Sequence, residues 1–140
     1  MTNRKRRVLF VCTGNTCRSQ MAEAIARHER GAAWEAFSAG TIPGERVNPL
    51  AVRAMREIGI DISQAQPKSV AALGAQAFDL AITLCDSTAE LCPRVDGAAR
   101  QLHLGFPDPA EARGNDAERL AVYRAVRDAI RAQIIAVLDE

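Results

Sequence analysis

The sequence lacks an excess of either charge: 18 Lys and Arg stand against 17 Asp and Glu, a net +1. That balance argues against a dedicated nucleic-acid or membrane-surface protein, either of which needs a basic field. No apolar stretch approaches the ~20 residues of a membrane span. Nor does the N-terminus carry a signal peptide's basic, apolar and cleavage-site order, because Phe10-Val11 runs too soon into polar residues. A cytoplasmic protein is therefore expected, a compartment in which cysteines stay reduced unless their chemistry is redox. Repeats, linkers and low-complexity tracts are also missing. His28 and His103 have no partner at useful spacing and read as satisfied or surface histidines.

What is present reads as one soluble globule. With 140 residues, 48% apolar and 25% charged, the chain is long enough to bury about two-thirds of its unfolded surface. Residues 1–140 form a single domain in this reading, with 1–6 as a flexible basic tail. The run Arg4-Lys5-Arg6-Arg7 is solvated, and nucleic-acid contact or attraction of anions is its minority reading.

Strand and helix patterns alternate along the chain. Arg7–Cys12 is a strand, Ser19–His28 a helix with Met21, Ile25 and His28 at helical spacing, and Trp34–Ser38 a strand running into Ala39-Gly40. Asn48-Pro49 is a strong helix start, and Ala51, Met55 and Ile58 share the face that follows before Gly59 ends it. Ser69–Gln76 reads as a weaker, alanine-rich helix. Phe78–Leu84 and Gln101–Phe106 are the third and fourth strands. Asn115 with Glu118 makes a capping box for a last helix striped by Tyr123, Val126, Ile130, Ile134 and Val137. This order implies an α/β fold: a four-stranded parallel sheet with helices on both faces. In such sheets ligands bind at the carboxyl ends of the strands. Cys12, Cys85 and the turn Phe106-Pro107-Asp108-Pro109 all follow strands, so the topology gathers them at one edge.

The segment after the first strand carries the chemistry. Val8-Leu9-Phe10-Val11-Cys12 runs straight into Thr13-Gly14-Asn15-Thr16-Cys17-Arg18-Ser19. A short loop closing on a helix N-terminus points backbone N–H groups into one concavity, which binds anions. The same partial positive charge favours thiolate over thiol. Gly14 and Asn15 tolerate the positive φ a tight cradle demands, and Arg18 offers a planar fork for two oxygens of a phosphate-like ion. Ser19 either bonds the Cys12 sulfur or caps the helix. Cys17, inside the loop, reads as support for the cradle. Asp108, between two prolines, is the candidate proton donor, since a thiol nucleophile displacing an oxygen needs an acid.

Taken together, Cys12 to Ser19, Ser38-Ala39-Gly40 and Asp108-Pro109 resemble the low-molecular-weight protein tyrosine phosphatase fold over essentially the whole chain. More closely, the chain resembles the thioredoxin-coupled arsenate reductases built on that fold. Thr83-Leu84-Cys85-Asp86-Ser87-Thr88-Ala89-Glu90-Leu91-Cys92-Pro93 is similar to their redox segment, whereas the phosphatases carry adjacent tyrosines soon after Asp-Pro, where Ala110-Glu111 stand here.

The resemblance implies a catalytic set of Cys12, Cys85, Cys92, Arg18 and Asp108, with Thr13 to Ser19 binding the substrate. Cys12 attacks arsenate, Cys85 attacks Cys12 as arsenite leaves, and Cys92 attacks Cys85. Thioredoxin, an external reductant, then resets the Cys85–Cys92 disulfide. No bound cofactor or metal is implied, and the protein is expected to be a monomer. If 85–92 were helical, seven steps of ~1.5 Å would separate the two cysteines by about 10 Å, beyond the roughly 4.4–6.8 Å between Cα atoms that a disulfide allows. The segment is therefore expected to differ between reduced and oxidised forms. Its small closed loop gains only about 2–3 kcal/mol by chain entropy, which leaves the bond readily reducible.

Some relatives bind potassium beside the loop with residues matching Asn15, Glu23 and Ser38 plus an acidic residue. Here Gln66-Pro67-Lys68-Ser69 brings a lysine instead. The Lys68 ammonium is expected in the cation's place.

Two other readings compete with a reductase. A phosphatase acting on phosphotyrosine or small phosphoesters shares the cradle. A four-cysteine metal site or thiol sensor is the non-enzymatic reading. Its spacings, four residues between Cys12 and Cys17 and six between Cys85 and Cys92, are not the paired short ones of zinc sites, and it leaves Arg18 unexplained.

Overall fold

The computed structural model describes residues 4–73, 76–86 and 93–140. Strands β1 (Arg6–Cys12), β2 (Trp34–Gly40), β3 (Leu80–Thr83) and β4 (Gln101–His103) form one parallel sheet in the order β2-β1-β3-β4. Val8 to Cys12 are buried, as expected of a central strand covered on both faces. Arg6, assigned by sequence to the basic tail, is the first residue of β1. Its N–H donates to Ala33 O at 3.2 Å and its guanidinium lies 4.1 Å over the Trp34 ring.

Among the described residues, the three α-helices, α1 (Arg18–Arg30), α2 (Pro49–Arg56) and α3 (Asp116–Leu138), share the larger core. There Val8, Phe10, Ile82 and Leu84 meet Met21 and Ile25 of α1, Ala51 and Met55 of α2, and Tyr123 and Ile130 of α3. The opposite face, with Leu9, Val11 and Ala81, is covered by Phe37, Val70, Leu73, Val95 and Ala98. Alternation along β1 thus sends successive side chains to two separate cores.

The helix ends follow their signals. Asn48 Oδ1 accepts from Leu50 N at 3.0 Å with Pro49 at the first helical position, and Gly59 turns the chain at φ +80. Asn115 and Glu118 form the full capping box of α3. The α3 stripe ends on Leu138, with Val137 only partly buried.

Among the described residues of the expected Ser69–Gln76 helix, Ala71–Leu73 makes a 3-10 turn and none is α-helical. Its start is drawn into sheet-like pairing instead, with Gly40 N donating to Lys68 O at 2.8 Å and Val70 N to Gly40 O at 3.0 Å. The third and fourth strands are shorter than their patterns. Asp79 caps β3 by accepting from Arg7 N at 2.7 Å. Beyond β4 the chain stays beside β3, as Leu104 N and Phe106 N donate to Thr83 O and Leu84 O.

Candidate active site

Cys12 ends β1, and the loop 13–17 closes on α1, whose first residue is Arg18. The loop is held from outside. Thr41, Ile42, Gly44 and Asn48 donate their N–H groups to the carbonyls of Cys12, Thr13, Gly14 and Thr16 at 2.9–3.3 Å. With its carbonyls bound to this brace, the loop has its amides left for the concavity. The Asn15 N–H points inward to the Cys12 sulfur at 3.2 Å. Gly40 makes the close approach possible, because a Cβ there would stand 2.6 Å from Thr13 O and 3.0 Å from Asn15 N.

Asn15 is the hub. It adopts φ 54, whereas Gly14, expected to need the same freedom, does not lie in that region. The Asn15 amide nitrogen donates to Ser19 Oγ at 2.7 Å and Ser38 Oγ at 3.0 Å, and its Oδ1 accepts from Gln20 Nε2 at 3.1 Å and Lys68 N at 3.0 Å. A fully bonded side chain compensates for the left-handed backbone of a non-glycine residue. Ser19 Oγ lies 2.8 Å from the Cys12 sulfur. Ser19 therefore serves the thiol, and Cys17 occupies the N-cap of α1 without a side-chain cap bond.

Cys12 and Cys17 hold free thiols and are both buried. Burial pushes the Cys17 thiol up to about 11, and its sulfur sits 3.9 Å from Tyr123 Oη. Tyr123 is also raised, first by its own burial. Cys17 is thus a neutral thiol inside the core, in keeping with its supporting role.

Arg18 is buried. One of its terminal nitrogens donates to Phe106 O at 3.1 Å, and the other lies 3.8 Å from Asp108 Oδ2. Asp108 Oδ1 accepts from Ala110 N at 3.0 Å, so the carboxyl is aimed from the turn toward Arg18 while 30% of its side chain meets solvent. The remaining segment enters from β3. Val11 stands opposite Thr83, and Leu84 N donates to Val11 O at 2.8 Å, so Cys12 and Cys85 leave the sheet on adjacent strands. Cys85 is buried and disulfide-bonded. Cys92, and with it the expected change in segment 85–92, lies outside the described residues.

The structure therefore brings Cys12, Arg18, Ser19, Asp108 and Cys85 to one edge. Sequence reasoning missed Gln20 and the 41–48 brace. The signal available for the brace was Gly40 and Gly44, neither of which adopts a positive φ.

Beside Asn15, Lys68 Nζ lies 3.7 Å from Glu23 Oε1, and Arg27 Nη1 lies 2.9 Å from Glu23 Oε2. Among the described residues, no group of three or more His, Cys, Asp or Glu is arranged to hold a metal ion, and no helix is long and apolar enough to cross a membrane.

A thiol over an amide-lined nest, with a buried arginine at the start of the following helix, defines a cysteine-based oxyanion site of the phosphatase-loop class. The family model described as low molecular weight phosphotyrosine protein phosphatase matches residues 7–140, and the chain belongs to this family. It is 46% identical over 130 residues to the arsenate reductase of Halalkalibacterium halodurans, covering 93% of each chain. A solved arsenate reductase in the phosphate binding state superposes with TM-score 0.80 at 30% identity, over 96% of this chain and 97% of that one. The thioredoxin-dependent arsenate reductase of Corynebacterium glutamicum matches with TM-score 0.69 at 27% identity, over 100% of this chain and 66% of that one.

Proposed function

We propose that this chain reduces arsenate to arsenite through a Cys12–Cys85–Cys92 thiol relay reset by thioredoxin. The observation that carries the reading is the pairing of β1 with β3, which delivers Cys85 beside a cysteine seated in an oxyanion nest. A phosphatase needs the nest and has no use for the second cysteine. Similarity to arsenate reductases supports the substrate, and the Corynebacterium glutamicum relative supports the reductant.

The loop amides and Arg18 hold the oxyanion, and the Cys12 thiolate displaces one oxygen, which leaves as water with a proton from Asp108. The Cys85 thiolate attacks the Cys12 sulfur. The sulfur–arsenic electron pair stays on arsenic, As(V) becomes As(III), arsenite departs, and two thiols have become one disulfide. Attack by Cys92 on Cys85 moves the disulfide outward and restores Cys12. Thioredoxin takes the disulfide over by the same exchange. A phosphorus–sulfur adduct has no such outlet and is hydrolysed. The reset requires a reducing compartment, which favours the cytoplasm.

The test is arsenate-dependent NADPH oxidation with thioredoxin and thioredoxin reductase. Cys12→Ser, Cys85→Ser and Cys92→Ser are each expected to abolish sustained turnover, and mass spectrometry should find the Cys85–Cys92 bridge after one equivalent of arsenate. Full turnover in Cys85→Ser would establish the phosphatase reading instead.

A further inference from the structure

Gln20 is the third residue of α1 and is only 2% exposed. The first turn of a helix favours acidic side chains, which meet the partial positive charge there. This first turn has none and carries a neutral amide instead.

The amide orientations around Gln20 are settled by partners that cannot exchange roles. Lys68 N is a main-chain donor, so the Asn15 atom 3.0 Å from it is the carbonyl oxygen. Gln20 then faces two acceptors, Asn15 Oδ1 and Gln66 O, each at 3.1 Å, and only its amino end suits both. Both amide hydrogens are used. A glutamate of the same shape would set a carboxylate against two oxygens in a buried place, where charge is costly.

The consequence falls at the other end of the Asn15 amide. With Oδ1 held by Gln20 and Lys68, Nδ2 is the atom turned to Ser19 Oγ at 2.7 Å and Ser38 Oγ at 3.0 Å. Ser19 therefore meets a donor from Asn15, which does not compete for its hydroxyl hydrogen. A reversed amide would present an oxygen and draw that hydrogen away from the Cys12 sulfur, 2.8 Å distant. A thiolate can only accept, so keeping the Ser19 hydrogen available favours the charged form.

We propose that Gln20 is a positioning residue for the Cys12 thiolate: its two-donor amide holds Asn15 in the orientation that leaves the Ser19 hydroxyl for sulfur. The role does not depend on the relay, because any reaction of the nest starts from the same thiolate.

The experiment is alkylation of Cys12 in the reduced full-length protein by iodoacetamide, a neutral reagent, read by peptide mapping across pH. Arsenate and thioredoxin are absent, so its failure leaves the reductase reading standing. Gln20→Met keeps the length and removes both donors. It is expected to move the Cys12 profile to higher pH and to slow alkylation on the acid side about fivefold, the net worth of one hydrogen bond. In a Ser19→Ala background the same change should add nothing, because the link to sulfur is already cut. A melting temperature that still rises with inorganic phosphate shows that each variant is folded. An unmoved profile in Gln20→Met, or an equal further shift in Ser19→Ala, overturns the role. If Gln20→Met does not fold, Gln20→Glu in the same two backgrounds decides. Its charge acts with or without Ser19, whereas its lost donors act only through Ser19. A smaller shift in Ser19→Ala supports the role, and an equal shift overturns it.

Discussion

Ser19 Oγ lies 2.8 Å from the Cys12 sulfur while accepting a 2.7 Å hydrogen bond from the Asn15 side-chain amide. Once Cys12 is a thiolate its sulfur can only accept, so in the reactive form the Ser19 hydroxyl donates to it. A hydrogen bond to a charged group contributes about 1.5–3 kcal/mol. Ser19→Ala is therefore expected to lower kcat by roughly 10- to 100-fold. The loop amides and Arg18 remain, so KM for arsenate should change little. Steady-state kinetics at saturating thioredoxin measure both.

Cys17 differs from Cys12 in its partners. A thiol raised from the usual 9.0 to about 11 by burial stays protonated near pH 8. Iodoacetate, itself an anion, is expected to alkylate Cys12 in the nest and to spare Cys17, as peptide mapping would read directly. Cys17→Ser should keep arsenate turnover. The same shift has a stability consequence. The unfolded chain releases the thiol proton near 9.0, while the folded chain retains it to about 11. Stability is thus complete below pH 9 and falls as pH rises toward 11, on the order of 2 kcal/mol for this group. Urea midpoints measured over that window should fall less steeply in Cys17→Ala, with Tyr123, raised in the same direction, supplying a residual slope.

Gly40 is the steric test of the brace. A Cβ placed 2.6 Å from a backbone oxygen cannot be relieved by rotating a side chain. Gly40→Ala is expected to displace the Thr13–Asn15 backbone, cost about 1–3 kcal/mol in stability and weaken inorganic phosphate binding in calorimetry. Gly14→Ala meets its nearest atom, Thr16 Oγ1, at 3.4 Å and has no positive φ. It should be the milder change, although Gly14 is the glycine inside the loop.

That contrast shows how legibility was divided along the chain. Val8 to Cys12, the Asn48-Pro49 start and the Asn115–Glu118 box were readable because each is a local pattern whose physics is complete within a few residues. The Ser69–Gln76 helix failed because Gly40, almost thirty positions earlier, captures the backbone of Lys68 and Val70. Propensity carries no information about such a partner. Gln20 was invisible for the same reason: only the folded chain places its amide against Asn15 Oδ1 and Gln66 O. His103, read from the sequence as a satisfied or surface histidine, is exposed and hydrogen-bonded to Thr83 across the strand register.

Lys68 offers the last test. Its main-chain N–H holds Asn15 Oδ1 at 3.0 Å, while its ammonium faces Glu23 Oε1 at 3.7 Å. Glu23 is buried, and that oxygen has no hydrogen-bond partner. Attraction there is therefore charge on charge, the role a bound alkali ion would otherwise fill. With a fixed ammonium in place, turnover at constant ionic strength should be the same in potassium as in sodium chloride. Lys68→Met leaves Arg27 on the other Glu23 oxygen, so the stability loss should stay below about 1 kcal/mol for a partly exposed pair. The same variant should acquire a preference for potassium over sodium, because an added cation can then approach Oε1. A marked potassium requirement in the unaltered enzyme would show that the ammonium does not do the ion's work, whatever the distance between the two side chains.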